Sequence, residues 1–386
     1  MWRHIAANTM TFLIVALFLL VGGISWGVRE YRAPGPLTEA ICLPVPGGVA
    51  NTDALTETLL ERGAITSAFI YESGARYTEK SGEIKRGQFR IPAAASMEEI
   101  IDIVTRGGRN TCGTQVIYRV GINRTVVDVR ELDAVSNSFV DVVSFEAGQL
   151  EVPEEYAEVR AAGDATYRVV IAEGATSWQI LDALGKIDIL RADVTDVPAE
   201  GTLAPRDYDI VEGDTVSSVL DEMRTAQQII LTEAWQNRAE GLPLISADEA
   251  LILASIIEKE TGVSGERGQV ASVFVNRLNQ GMRLQTDPTV IYGITGGEGV
   301  LGRGLRQSEL RAETPWNTYV IEGLPPTPIA NPGEASIQAA LNPDTTDYIF
   351  FVADGTGGHA FATNLDDHNR NVARWREIEA ERADSD

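Results

Sequence analysis

Two glutamates at the end of an apolar helical segment are the residues best placed for acid–base chemistry. Residues 250–261 are apolar at nearly every early position, and the segment ends with Glu258 and Glu260 before Gly262. At about 100° per residue, the two side chains point roughly 200° apart on a helix. They therefore cannot form the facing carboxylate pair of a conventional glycosidase, and at most one of them can enter a given cleft.

Glu260 is the stronger candidate for a general acid. It follows Leu253, Ile256 and Ile257 at helical spacing, so it continues a stripe of bulky aliphatic residues. It also stands at the helix C-terminus, where the dipole is negative. Burial and the dipole both disfavour the ionised carboxylate, so we expect a raised pKa for Glu260, as a general acid requires. Glu258 follows a thinner apolar face, and the alternative is that both glutamates are solvated charges.

Metal chemistry and nucleic-acid binding are not expected. The two cysteines, Cys42 and Cys112, form no CxxC motif. His4 lies beyond the membrane segment, and His359 and His368 lack metal-ligand spacing. The net charge of -24 repels phosphate backbones, so nucleic acid is an unsuitable partner.

A series of motifs follows in order from the helix with the two glutamates. The series comprises residues 253–261, 270–278, 281–293, 317–319, 323–326, Ile329 with 331–333, and 351–355 with 358–359. In this order it resembles the YceG-like endolytic murein transglycosylases, and the match covers roughly residues 251–369. Upstream, residues 200–205 with Tyr208 are similar more loosely. The glycine-rich loop 296–304 departs from the pattern, and no contact there is carried over.

The resemblance implies a reaction and assigns its acid. The family's catalytic glutamate falls on Glu260. The implied reaction cleaves the MurNAc–GlcNAc bond of nascent peptidoglycan strands during cell-wall assembly without water and leaves a 1,6-anhydroMurNAc end. One carboxyl group is sufficient, because the attacking C6 hydroxyl is already tethered to the reacting ring. The resemblance implies no cofactor, and its implied partners are glycan strands and cell-wall synthases.

Two alternatives remain open. A hydrolytic muramidase would need a second carboxylate facing Glu260, and Asp287 is the only nearby motif candidate. A non-catalytic glycan-binding scaffold of the cell-wall synthesis machinery would not need Glu260.

Five residues in two downstream motifs are candidates for substrate binding. Gln285 and Thr286 lie before Asp287-Pro288, and Asn317 and Tyr319 lie in a Pro-flanked loop. Gln285 could bond an N-acetyl group, and the loop could supply sugar hydroxyl contacts and ring stacking. Asp287 also has a structural explanation, as the N-cap of a helix with Pro at its first position.

Three further polar residues are expected to be structural. His359 follows two glycines in a hairpin begun by Asp354-Gly355, where a satisfied structural histidine is expected. Asn276 and Arg277 are expected to end a helix that begins near Glu266, in core and capping roles.

An N-terminal anchor precedes these motifs. Residues 11–28 contain no charge and, at ~1.5 Å per residue, nearly cross a ~30 Å hydrocarbon layer. Trp26 and Tyr31 suit an interfacial belt. The alternative is a cleaved signal peptide headed by Arg3, but no A-x-A site follows the apolar run. With the resemblance, this predicts a single-pass protein of the cell inner membrane with its soluble part on the periplasmic side.

The remaining patterns predict the elements around the site. We expect helices at 53–62 and 97–106, a strand at 87–92, and β-structure over 112–170. Two phrases, 167–181 and 208–220, each predict a strand, a turn, a Thr cap and a helix, and the second resembles the opening of a LysM module. Ser246 and Glu249 form a capping box that starts the helix with the two glutamates.

The predicted fold class is α+β, with one transmembrane helix, a LysM-like unit and a mixed α/β catalytic domain of YceG-like type. The boundaries are a cytoplasmic tail (1–10), the anchor (11–28), a connector and LysM-like unit (29–110), a β-rich middle (111–240), the catalytic domain (241–376) and an acidic tail (377–386). Since unpaired thiols are uncommon in oxidising compartments, we expect a Cys42–Cys112 disulfide.

Overall fold

The chain has an α+β fold in the computed structural model, which describes residues 2–45, 52–85, 87–106, 111–133, 138–163 and 165–383. The helices are α1 (Trp2–Arg32), α2 (Thr52–Glu61), α3 (Ala68–Tyr77), α4 (Met97–Thr105), α5 (Glu154–Ala162), α6 (Ser177–Gly185), α7 (Val216–Gln236), α8 (Ala247–Glu260), α9 (Arg267–Asn279), α10 (Asp287–Thr295), α11 (Glu334–Leu341) and α12 (Leu365–Ala383). The strands are β1 (Ile41–Val45), β2 (Gly87–Ile91), β3 (Thr114–Val120), β4 (Thr125–Asp133), β5 (Ser138–Glu146), β6 (Thr166–Ile171), β7 (Asp207–Ile210), β8 (Phe350–Ala353) and β9 (His359–Ala362).

The chain forms two compact units. The first unit comprises Met1–Gln115, Val129–Val142 and Glu155–Thr166, and the second comprises Val116–Asp128, Val143–Glu154 and Tyr167–Asp386.

The first unit has a β-α-α-β-α order in the region assigned to a connector and a LysM-like unit. Strands β1 and β2 are antiparallel, with Leu43 opposite Phe89, and both side chains are buried. Helices α2 and α4 and strand β2 confirm the predicted elements. Gly107 and Gly108, which the sequence predicts to end α4, lie outside the described residues. The predicted disulfide is present: Cys42 is bonded to Cys112, with Cα atoms 5.8 Å apart.

Helix α1 is long and apolar enough over Ile14–Arg32 to cross a membrane. Its last turn belongs to the core of the first unit. The Tyr31 ring is buried against α3, where a Cβ on Gly74 would lie only 2.2 Å from a ring carbon. The hydroxyl of Thr66 also donates to the Glu30 carboxylate at 3.1 Å. The folded unit therefore begins where the apolar helix ends.

A five-stranded sheet has the order β5-β4-β3-β6-β7. Both predicted phrases form a strand followed by a helix, and the hydroxyls of Thr176 and Thr215 cap α6 and α7. The phrase that resembles a LysM opening forms β7 and the start of α7, in the second unit and outside residues 29–110. Helix α5 was not predicted in the stretch expected to be β-structure.

Helix α8 is the central helix of the second unit, as its apolar sequence predicts. Every residue from 250 to 257 is buried, and the helix packs against α7, α9, α10 and α11. Ser246 is the N-cap and accepts a hydrogen bond from the N–H of Glu249 at 3.2 Å. The Glu249 carboxylate bonds the N–H of Ile245, so only half of the predicted capping box forms. The helix ends at Glu260, because Thr261 is extended.

The hairpin predicted around Asp354-Gly355 is formed by β8 and β9, with Ala353 opposite His359. Helix α12 follows it and continues to Ala383, so residues 377–383 of the expected acidic tail form the last turns of a helix.

Candidate active site

Glu258 belongs to the framework of the second unit. Its Oε2 accepts a hydrogen bond from the N–H of Gly333, the N-cap of α11, at 2.9 Å. The Arg267 guanidinium lies 3.9 Å from its Oε1, and the Glu258 side chain is only 6% exposed. Glu258 therefore ties the end of α8 to the start of α11.

Glu260 bonds to a different part of the unit. The hydroxyl of Thr286 donates a hydrogen bond to its Oε1. Glu260 also lines a cleft of about 480 Å³, together with His359 of the hairpin and with Trp375 and Arg382 of α12. As predicted from their spacing, the two glutamates of α8 do not share a cleft wall.

The pKa of Glu260 is raised above its ordinary value, mainly because burial disfavours the ionised carboxylate. The nearby charge of Asp287 raises this pKa further. The hydrogen bond from Thr286 and the electrostatic interactions with His359 and Arg277 lower this pKa and only partly offset the increase. The direction is the one predicted from the sequence, and it suits a group that must carry a proton near neutrality.

Three buried threonines form a hydrogen-bond network next to Glu260. The N–H of Thr286 donates to the Thr318 hydroxyl at 3.0 Å, and the Thr289 hydroxyl donates to the Thr286 carbonyl at 2.8 Å. Thr286 is 3% exposed, and the other two have no exposed surface. Thr286 was predicted to bind substrate; in the structure its hydroxyl donates to Glu260 and holds that carboxyl group in place.

Asp287 and Tyr319 form a pair beside this network. The Tyr319 hydroxyl donates to Asp287 Oδ1 at 2.7 Å, while Asp287 itself is exposed. Burial and the bond to Asp287 raise the pKa of Tyr319, so its hydroxyl stays protonated. The predicted N-cap role of Asp287 is wrong by one residue: Thr286 is the N-cap of α10, and Asp287 is its first helical residue.

Asn317 and Gln285 occupy contrasting environments. Asn317 has no exposed surface: its amide donates to the Ala312 carbonyl at 2.7 Å, and its Oδ1 accepts from the Tyr319 N–H at 3.0 Å. It therefore shapes the loop that carries Tyr319. Gln285 is exposed and has a left-handed backbone, with φ of 54°. Such strain is common at functional sites, where surrounding contacts hold it in place; here the Gln285 N–H donates to the Thr318 carbonyl at 3.1 Å.

Arg277 is buried near Glu260 in the structural role expected for it. Its guanidinium donates to the carbonyls of Leu284 and Ile349, both at 2.6 Å. The first bond holds the segment that leads to Thr286, and the second holds the start of the hairpin. Arg277 thus brings two sides of the site together while supplying a positive charge near Glu260.

Some site residues were not identified from the sequence. Glu266 pairs with His359, from which it is separated by 93 positions, and no periodic pattern connects them. Trp375 and Arg382 are seven positions apart on α12, a spacing that places them on one helix face and could have marked them. Within the described ranges, no group of three or more His, Cys, Asp or Glu side chains is placed to hold a metal ion.

Comparison with known proteins gives a family match over more than half of the chain: residues 145–374 match the model of the YceG-like family. A Streptococcus pneumoniae (serotype 2) protein named endolytic murein transglycosylase is 27% identical over 387 residues, covering 96% of this chain. A Bacillus subtilis (strain 168) protein of the same name is 27% identical over 331 residues, covering 84% of this chain and 82% of its own length. The chain spans 65% of the length of the S. pneumoniae relative.

Among solved structures, a putative yceG-like protein from Listeria monocytogenes is similar, with 25% sequence identity and a TM-score of 0.44. The alignment covers 86% of this chain and 99% of that protein.

Proposed function

This chain belongs to the YceG-like family, and on that premise we propose that it is an endolytic lytic transglycosylase of peptidoglycan. Its substrate would be the MurNAc–GlcNAc bond of glycan strands, and its product a 1,6-anhydroMurNAc end. The name shared by the S. pneumoniae and B. subtilis relatives supports this proposal.

The observation that carries the proposal is the setting of Glu260. Glu260 lines a cleft, and burial raises the pKa of its carboxyl group. Thr286 bonds Oε1, whereas Oε2 has no hydrogen-bond partner in the described part of the chain. We therefore assign the mobile proton to Oε2, the oxygen to which Thr286 does not bond.

Glu260 would act twice in one turnover. As an acid it gives its proton to the glycosidic O4, so that the bond from O4 to MurNAc C1 breaks and GlcNAc leaves with a hydroxyl. As a base it then takes the proton from the MurNAc C6 hydroxyl, whose oxygen forms a bond to C1. The carboxyl group ends as it began, and no water is consumed. The attacking hydroxyl belongs to the reacting sugar, so proximity replaces a second carboxylate.

The five candidate binding residues divide into two groups in this proposal. Gln285, Asp287 and Tyr319 are the candidates for contact with the glycan, because each is exposed or half-buried. Thr286 and Asn317 are positioning residues, since Thr286 donates a hydrogen bond to Glu260 and Asn317 accepts one from the backbone of Tyr319.

The cellular setting is part of the same proposal. Helix α1 would be the single membrane anchor of the inner membrane, with the soluble part on the periplasmic side, where nascent glycan strands and cell-wall synthases are found. A glycan-binding, LysM-like role for residues 29–110 is supported only by the β-α-α-β order of that region.

The proposed function and its two rivals leave glycan strands in different states, so product analysis tests the proposal. Purified full-length protein is incubated with defined glycan strands, and the fragments are identified by mass spectrometry. A lytic transglycosylase gives anhydro ends, which are one water lighter than the reducing ends that a hydrolytic muramidase would give. A scaffold would leave the strands intact. Reducing ends or intact strands would therefore contradict the proposal.

A further inference from the structure

The pairing of His359 with Glu266 determines which nitrogen of the imidazole can meet a ligand. Glu266 Oε1 accepts the backbone N–H of His359 at 3.0 Å, and Glu266 Oε2 lies 2.8 Å from the ring Nδ1. An ionised carboxylate only accepts hydrogen bonds, so Nδ1 must carry a proton. In the neutral imidazole, Nε2 is then an acceptor with a lone pair.

The ring is held firmly by its neighbours. Phe351 meets it edge-on at 5.2 Å between centroids, and Phe361 lies 6.3 Å away. The side chains of His359 and Glu266 are only 15% and 19% exposed. Gly358 leaves space for the pair, because a Cβ at this position would lie 2.4 Å from Glu266 Oε1. A side chain at position 358 would displace the carboxylate.

Nε2 makes no hydrogen bond in the described part of the chain, and His359 lines the cleft that Glu260 also lines. A polar atom at the wall of a cleft can bond to water or to a ligand, whereas one enclosed in the fold needs a protein partner. Here one nitrogen is fixed by Glu266, while the other remains available at the wall of the cleft.

We propose that His359 is a substrate-binding residue whose Nε2 accepts a hydrogen bond from a sugar hydroxyl of the glycan held beside Glu260, and that Glu266 is the positioning residue that imposes the required tautomer. This inference rests on the proposed function, because it takes a glycan as the ligand. It assigns a contact that neither the motif order nor the spacing of the sequence predicts.

Asn and Gln substitutions separate the two nitrogens. His359→Asn keeps an amide near Nδ1, where it can still bond Glu266, but has nothing at the place of Nε2. His359→Gln places an amide oxygen near Nε2 and leaves the Glu266 contact unsatisfied. The binding role therefore predicts that the His359→Asn variant has a lower affinity for the glycan and an unchanged Tm. The His359→Gln variant is expected to have an unchanged affinity and a lower Tm.

The test is a binding titration of full-length protein in detergent with a tetrasaccharide of alternating GlcNAc and MurNAc. Each variant is made in a Glu260→Gln background, so that no cleavage occurs. We expect His359→Asn to weaken binding about tenfold, as the loss of one hydrogen bond to a ligand would. Equal affinity of the His359→Asn variant and its parent would overturn the inference, as would a parent that binds no tetrasaccharide. Product formation by the unmodified protein tests the proposed function separately.

Nitrogen NMR gives an independent readout of the tautomer. The chain has only three histidines, so the His359 signals can be assigned by substitution. We expect the neutral ring to carry its proton on Nδ1, and Glu266→Gln to shift the proton distribution towards Nε2, because a Gln amide can donate to Nδ1. A neutral ring already protonated on Nε2 in the unmodified protein would overturn the inference.

Discussion

Glu258 and Glu260 lie two residues apart in the last turn of α8, and their side chains accept hydrogen bonds from different elements. Glu258 accepts the N–H of Gly333 at the start of α11, and Glu260 accepts the hydroxyl of Thr286 at the start of α10. The last turn of α8 therefore provides a structural carboxylate on one side and a candidate catalytic acid on the other.

The first prediction concerns Glu260→Gln. Glutamine keeps the size and an acceptor for Thr286, but it cannot give and recover a proton. General acid–base steps typically contribute about 10²–10⁴-fold, so we expect the release of anhydro-ended fragments to fall at least a hundredfold. The rate is followed by mass spectrometry of fragments from defined strands.

Glu258→Gln is the matched control for this experiment. Its amide oxygen can still accept the Gly333 N–H, so we expect most of the activity to remain, with a lower Tm from the loss of charge beside Arg267. If the Glu260→Gln variant were active and the Glu258→Gln variant inactive, Glu258 and not Glu260 would be the catalytic acid. Full activity in both variants would reject the transglycosylase mechanism.

The second prediction concerns the hydroxyl that bonds Glu260. Thr286→Val removes it at nearly constant volume, and the hydrogen bond it removes lowers the pKa of Glu260. The pKa of Glu260 should therefore rise further, and the alkaline limb of the kcat/KM profile should move to higher pH, because the first step needs the protonated acid. Thr286→Ser keeps the hydroxyl and should leave the limb in place. Identical limbs for the Val and Ser variants would contradict this role for Thr286.

The third prediction is a pH dependence of stability. The ordinary pKa of a glutamate is 4.5, and the folded protein raises that of Glu260. Folding therefore takes up a proton between these two values, and the contribution of Glu260 to stability falls as pH rises through this window. Glu260→Gln lacks this loss. The Tm of the variant minus that of the parent should increase from about pH 4.5 upward and then level off. A difference that decreases over this range would contradict the raised pKa.

The fourth prediction concerns the Cys42–Cys112 bridge. The cysteines are 70 positions apart, and closing such a loop contributes about 4 kcal/mol in the entropic model of disulfide stabilisation. We expect the double serine variant to lose stability of this order in denaturant unfolding. Thiol titration of the denatured, unreduced protein should detect no free thiol. Two free thiols would show that the bridge does not form.

The fifth prediction is topological. If α1 is a single anchor with the soluble part outside the cytoplasm, a phosphatase fused to the C-terminus should be active, because that reporter folds only in an oxidising compartment. A reporter active only in the cytoplasm, fused at the same point, should be silent. The opposite pattern would reverse the proposed orientation.

The course of α8 and the special position of Glu260 were predictable from the sequence, because both depend on local periodicity. The apolar residues of 250–257 indicate a buried helix, and counting along that helix separates Glu258 from Glu260. Thr caps before α6 and α7 were predictable for the same reason. Each of these features is decided within one or two helical turns.

Features that depend on distant residues could not be predicted in this way. The bond from Thr286 to Glu260 spans 26 positions, and the pairing of Glu266 with His359 spans 93. The N-cap of α10 was misplaced because both Thr286 and Asp287 are residue types that cap helices, and only the backbone geometry distinguishes them. The contact of Asn317 with sugar stays a prediction; the bonds from its amide to the carbonyls of Glu309 and Ala312 could not be read from a loop sequence.

The contact between Tyr31 and Gly74 packs the last turn of α1 directly against the first unit, without a flexible linker between them. A joint would require a few unpacked residues after the apolar helix, but the aromatic ring in the last turn of α1 is already enclosed by α3. If α1 spans a bilayer, its orientation in that bilayer would therefore also determine the orientation of the first unit at the lipid surface. A bulkier residue at position 74 would separate α1 from α3 and allow the first unit to change its orientation relative to α1.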